Sequence, residues 1–209
     1  HQKNAGLSGA RNSGIAAAKG EYILLADSDD FLESQLCERM YAALMQSGAS
    51  VAVCGCTELR ERDGSERCVA VTGEQRVVTG AEMLEKLNGD DMKYYVTAWN
   101  RLYRAELLKQ ISFPEGRINE DLAVAHEIYH RAGRIVLLPE ALYHYRLRDG
   151  SITGSRLSVR NLDAVEALYR RFVYYRENGL EQLLPGTVRW ARRLLEIRVH
   201  IAPHNAKER

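Results

Sequence analysis

The chain has 209 residues, enough for one generous domain or a domain with an appendage, and its 45% hydrophobic content can fill a real core. A formal net charge of +1 advertises neither nucleic acid nor an acidic partner. No signal peptide or apolar run of transmembrane length is present.

The chain opens without Met, in "HQKNAGLSGARNSG", and domains seldom start inside such polar, Gly-rich loop chemistry; upstream sequence is expected. "LSGARNSGIAAAK" reads as a Gly-rich loop entering a helix over Ala10–Lys19. Tyr22–Ala26 is a short apolar run, suited to a strand buried on both faces as in a parallel sheet. Asp27, Ser28, Asp29 and Asp30 then fall at its C-terminal end, where open α/β sheets bind ligands. Three carboxylates so close repel one another unless something positive relieves them, and a hard divalent cation, Mg²⁺ or Mn²⁺, is the natural candidate. A solvated acidic turn or a helix N-terminus explains "DDFLES" equally well.

A helix over Ser34–Ser47 follows, with Leu36, Met40, Ala43 and Leu44 on one face and Gly48 as its stop. "ASVAVCGCTEL" is a second strand, and "ERDGSE" turns into a third, "RCVAVT". Thr79 is placed to cap "GAEMLEKLN". "VTAWNRLYRAELLKQ" starts extended and becomes helical near Arg104. "FPEGRINED" is a loop, and Asn119 is placed to cap "EDLAVAHEIYHRA". "RIVLLP" and "ALYHYRL" read as two short strands. After "RDGSITGS" the pattern is helical over Val159–Glu177 and Thr187–Ile201. From Arg156 onward eleven Lys/Arg face six Asp/Glu, a basic tail that suits a membrane surface or simply solubilises helices.

Four groups bear on chemistry. Arg11 follows glycines near a helix N-terminus, where backbone and guanidinium can meet phosphate. Glu120 and Asp121 open a helix: they are dipole-favoured acids or, alternatively, a carboxylate general base. Arg146 and Arg148 leave a strand into a loop that could close over a diphosphate, or they protect a sheet edge. His126 and His130 match the letters of a zinc motif, but no third ligand is apparent and exposed histidines on an amphipathic helix explain the spacing. Cys37, Cys54, Cys56 and Cys68 form no CxxC and read as reduced structural thiols of a cytosolic protein.

In order, "NAGLSGARNSGIAAAKGEYILLADSDDFL", "WNRLYRAELL", "FPEGRINED" and "LYHYRLRDGSIT" resemble family-2 glycosyltransferases, over roughly Asn4 to Thr153. The resemblance implies an α/β GT-A fold, a Rossmann-like mixed sheet flanked by helices and incomplete at its N-terminus. It would occupy residues 1–155, with residues 156–209 as a C-terminal helical extension. It implies transfer of a sugar from a nucleotide-sugar donor, a UDP-sugar first, to a saccharide or lipid-linked acceptor hydroxyl, usually with inversion. On this comparison Asp29 and Asp27 match the metal-binding pair, with Asp27 also toward the donor's ribose. Arg11 falls on a donor-contacting arginine, and Asp121 falls on the base, with Glu120 second. Trp99, Asn100 and Arg101 lie where donor sugar and acceptor are met, and Arg146 and Arg148 belong to the closing loop.

The resemblance further implies work in cell-surface or exopolysaccharide synthesis, in the cytoplasm or peripherally at the inner face of the membrane. Two departures stand out. The opening strand and the loops that bind the nucleotide base in relatives are not in the sequence, and Arg148 falls where some relatives carry a metal-binding His. The alternatives are a haloacid-dehalogenase-type phosphatase, disfavoured by Phe31 and the lack of its downstream motifs, and a non-catalytic remnant that binds a cation or partner. A homodimer covering an open sheet edge would accompany the remnant.

Overall fold

A computed structural model of the chain describes residues 1–69, 71–90, 92–148 and 162–199. The expected closing segment beyond Arg148, the start of the Val159–Glu177 helix and Ile201 lie outside these residues.

The centre of the fold is β3 (Val51–Arg60), whose first six residues are all buried. Its side chains alternate between two apolar clusters. Val51 and Val53 join Tyr103, Ile135 and Leu137 under one layer of helices, while Ala52 and Cys54 join Leu102, Val136 and Leu138 under α2 (Leu36–Ser47). A strand covered on both faces reads as the continuous apolar run seen here. The helix α2 ends at Gly48, whose φ of 63° lets its N–H reach Leu44 O at 2.9 Å.

β3 runs parallel to β7 (Arg134–Leu147) and antiparallel to β6 (Arg101–Arg104) and to β4 (Glu66–Val69). With β1 (Tyr22–Leu24), β2 (Phe31–Leu32) and β5 (Arg76–Thr79) they form one mixed sheet of seven strands, whose main path is β1-β6-β3-β7-β2. Helices lie on both sides.

Three expectations about the strands and the first helix are corrected. The Tyr22 strand stops at Leu24 and pairs antiparallel with β6, not in a parallel ladder, and only Ile23 is fully buried. β1 ends the strand path, so it is paired along one edge only, to β6. "RIVLLP" and "ALYHYRL" form a single strand, β7. Pro139 is tolerated inside it because the register against β3 shifts between Val53 and Gly55, which frees the proline from the ladder. The Gly-rich segment is not a loop: α1 runs Gly6–Ala17, with Ser8, Arg11 and Ile15 buried along one face. Two glycines inside a helix cost about 1 kcal/mol each. One of them is required, since a Cβ on Gly9 would lie 2.5 Å from that of Ala5.

Other expectations are met. Thr79 and Glu82 form a reciprocal capping box on α3 (Gly80–Lys86). The short α5 (Ala105–Leu108) follows β6 directly, as expected near Arg104, while α4 (Met92–Val96) before β6 is an element the sequence pattern did not announce. α6 spans Glu120–Ala132, although Asn119 begins it through a left-handed backbone rather than a side-chain cap. α7 (Asp163–Glu177) and α8 (Leu184–Val199) pack on the start of α6 and on α4 through Met92, Leu122, Ala164, Ala167 and Leu168. The histidine reading needs one change. His126 is buried against Tyr174 and Tyr175, and burial pushes its pKa down to about 3, whereas His130 bonds Tyr174 Oη at 2.9 Å. Cys54 and Cys56 are buried, with thiols pushed up to about 12 by burial, while Cys37 and Cys68 are exposed. Among the described residues no helix is long and apolar enough to cross a membrane.

Candidate active site

Beyond β1 the chain turns sharply, with Asp30 N–H reaching Asp27 O at 3.2 Å, and Asp27, Asp29 and Asp30 leave the turn in different directions. Each finds its own partner. Asp27 Oδ1 accepts from Arg11 Nη2 at 2.8 Å. Asp29 is ion-paired with Arg148. Asp30 accepts from Tyr143 Oη at 2.7 Å and from the Arg146 N–H at 2.9 Å. Its carboxyl is pushed above the usual aspartate range, first by burial. The repulsion among the three acids is therefore relieved by arginines and β7, without a metal ion being required to hold the turn.

Arg11 joins two parts of the site. It is buried, and its second amino group, Nη1, donates to Glu120 Oε1 at 2.5 Å. Burial opposes its charge, but Asp27 and then Glu120 outweigh it and hold the guanidinium protonated. The neighbouring Asn12 pairs twice with the backbone of Phe113, at 2.8 and 2.9 Å, and fixes α1 against the loop that leads to α6.

Asp121 is half-buried on the first turn of α6, and its Oδ1 accepts from Leu122 N–H at 2.7 Å. Burial, then the adjacent Glu120 charge, raise its pKa to about 6, against the pull of Arg11 and Arg101. A carboxylate poised in that range can take a proton near neutral pH.

Trp99, Asn100 and Arg101 lie just behind this face. Trp99 stacks on Tyr143 and Tyr145 with ring centroids 4.3 and 5.2 Å apart. Asn100 Nδ2 donates to Cys54 O at 2.6 Å. Arg101 is fully buried and spends its guanidinium on Tyr129 Oη (2.8 Å), Tyr94 O (3.1 Å), Thr97 and Asn100. Asn100 and Arg101 therefore touch protein groups, and Trp99 is itself buried, 7% exposed. Arg146 lies at the end of β7 and Arg148 just beyond it, with Arg146 paired to Glu61.

Asp30 and Tyr143 were missed as site-forming residues. Asp30 was visible as the third acid of the cluster. Tyr143 also accepts from the Asp27 N–H at 3.2 Å, and it carried only the weak signal of a strand aromatic.

The side chains available to a cation are hard oxygens. Asp30 is committed to β7 and one Asp27 oxygen to Arg11, and no group of three or more His, Cys, Asp or Glu able to hold a metal exists among the described residues. Asp29, with one oxygen on Arg148, and Asp27 are the carboxylates that could hold a Mg²⁺-like ion of the kind bound by one or two carboxylates and completed by substrate phosphates.

The mixed sheet between helix layers, with the acid turn tied through Arg11 to the start of α6, is a GT-A-type fold. The model of glycosyl transferase family 2 matches residues 1–112, and the chain belongs to that family. It is 35% identical over 159 residues to the glycosyltransferase GlyG of Streptococcus pneumoniae, covering 73% of this chain and 52% of GlyG. It is 34% identical over 188 residues to the uncharacterised glycosyltransferase EpsJ of Bacillus subtilis, covering 86% of this chain and 54% of EpsJ. Among solved structures, Staphylococcus aureus TarS 1–349 in complex with UDP-GlcNAc superimposes with a TM-score of 0.71 at 22% identity, over 90% of this chain and 53% of that one. The chain thus spans about half the length of these relatives.

Proposed function

We propose that the chain transfers a sugar from a nucleoside-diphosphate sugar to an acceptor hydroxyl with inversion. The observation that carries this reading is Arg11 bridging Asp27 and Glu120, which ties the acid turn to the helix start bearing Asp121. In the proposed step Asp121 takes the acceptor proton as the acceptor oxygen attacks the anomeric carbon. The bond from that carbon to the diphosphate oxygen breaks, and its electron pair leaves with the nucleotide. Arg148 and Arg146 gather on the departing diphosphate, Arg148 exchanging Asp29 for phosphate oxygen. A Mg²⁺ or Mn²⁺ ion at Asp29, with Asp27 beside it, supplies further neutralisation of that charge when bound. Trp99 borders the sugar, while Asn100 and Arg101 hold the floor beneath it.

The donor we favour is a UDP-sugar, supported by the bound UDP-GlcNAc named for the TarS neighbour. The acceptor is a saccharide or lipid-linked saccharide of an extracellular polysaccharide. This is supported by relatives such as the succinoglycan biosynthesis protein ExoO of Rhizobium meliloti. The chemistry would sit in the cytoplasm, against the inner face of the membrane. We read residues 1–155 as the catalytic part and residues 156–209 as a helical extension to it.

Release of UDP from UDP-glucose, UDP-galactose and UDP-N-acetylglucosamine, with Mn²⁺ and with water or a saccharide as acceptor, tests the reading. Turnover lost in Asp121→Asn with UDP binding kept is the expected result. Turnover unchanged in that variant would remove Asp121 as the base.

A further inference from the structure

The first turn of α6 is held from outside by α7. Asp163, the first residue of α7, is 8% exposed, and both of its oxygens reach across to the loop before α6. Oδ1 accepts from Arg117 Nη1 and Oδ2 accepts from the Ile118 backbone N–H, each at 3.0 Å. Arg117 is paired again one turn along α7, with Glu166 at 2.9 Å. An acid at a helix start ordinarily serves its own dipole. Here both oxygens serve another segment.

That segment is under strain. Asn119 has φ of 59°, and among the described residues it is the one non-glycine with positive φ. It has no side-chain cap bond to offset this conformation. A left-handed residue of this kind costs about 1 kcal/mol and persists where its surroundings over-determine it. Asp163 grips the N–H of Ile118, the residue immediately before Asn119, and the residues immediately after Asn119 are Glu120 and Asp121. Leu122 packs against Ala164, Ala167 and Leu168, so the same helix also holds the next part of α6.

We infer that Asp163 is a positioning residue: through Ile118 and Arg117 it locks the Asn119 turn and so fixes where α6 presents Asp121. The inference rests on the proposed role of Asp121 as the base. It makes the helices after the sheet part of the site's construction, since α7 holds the loop that sets the carboxylate.

The test reads the Asp121 carboxyl directly, by pH titration of ¹³C-labelled aspartate in the full chain, with the signal assigned through Asp121→Asn. In the parent the midpoint is expected near about 6. In Asp163→Ala the turn relaxes, Asp121 gains water, and the midpoint is expected to fall by about 1 unit or more. Asp163→Asn keeps an oxygen for the Ile118 N–H but releases Arg117, so its shift is smaller. If the alanine variant does not fold, the asparagine variant decides alone. An unchanged midpoint in the folded variants, or a parent midpoint in the ordinary aspartate range, overturns the inference. Kinetics give a second reading on any donor turned over: kcat falls roughly tenfold to a hundredfold with the donor KM unchanged. Failure of the base reading appears elsewhere, as undiminished turnover by Asp121→Asn, so the two failures are distinguishable.

Discussion

The two acids of the Asp27-Ser28-Asp29 turn, two residues apart, have opposite surroundings. Asp27 is 23% exposed and paired with Arg11, itself 7% exposed and shared with Glu120. Asp29 is 37% exposed and paired with Arg148, which is 47% exposed. A buried charge pair is costly to break, because the partner left behind stays desolvated. An exposed pair contributes little and exchanges readily for another partner. The difference divides the cluster into a fixed half and an exchangeable half, which under the proposed function is the half open to a cation and a diphosphate.

Under the proposed function, removing the base that adjoins the fixed half should have the largest effect. Asp121→Asn is expected to lower turnover by roughly 10²- to 10⁴-fold, measured as nucleotide release. Its stability effect should run the other way. The folded pKa of Asp121 is raised, so the protonated form is the one the fold favours. That contribution is full below the unfolded value, near 4, and is lost as pH rises through about 6. Asp121→Asn, permanently neutral, should therefore unfold at higher urea than the parent at pH 8, by the equivalent of about 1–3 kcal/mol, with the gap closing at acid pH. The same group predicts that kcat/KM falls as pH drops below about 6.

Arg11→Met comes next. It strands Asp27 and Glu120 together and should cost about 3 kcal/mol, read by chemical denaturation. Because Asp27 is part-exposed, the loss belongs at the lower end for a broken buried pair. Asp29→Ala and Arg148→Ala should each change stability by no more than about 0.5–1 kcal/mol, while both weaken nucleotide binding. A stability loss at Asp29 as large as that at Arg11 would erase the division between the two halves.

Much of this arrangement was legible in the sequence, for identifiable reasons. The run "VAVCGC" is apolar throughout because β3 is covered on both faces. Gly48 and Thr79 ended or began their helices by backbone and side-chain chemistry local to them. The acid turn and Arg11 were legible as charged groups without apparent partners, though the partners themselves were not. Arg11 lies 109 residues from Glu120, and Arg148 lies 119 from Asp29, separations that only the assembled sheet closes. The glycine-rich start misled for a related reason. Its helical conformation is set by burial of Ser8, Arg11 and Ile15, a tertiary effect that outweighs the propensity of Gly9 and Gly14. The continuity of β7 past Pro139 likewise depends on a register shift against β3, which no local pattern reveals. Asp163 sits in a helix that reads as an ordinary amphipathic one, and its reach to Ile118 is again long-range.

The most direct test of an exchangeable half beside a fixed one is calorimetric titration of UDP into the chain, with and without Mn²⁺, in the parent and in Asp29→Ala. Guanosine and thymidine diphosphates belong in the same series. The account predicts binding that Mn²⁺ strengthens in the parent, and loss of the Mn²⁺ effect in Asp29→Ala with the fold intact. Binding of equal strength in both proteins, or none by any nucleotide, would contradict it and leave the acid turn as a charge-paired structural element.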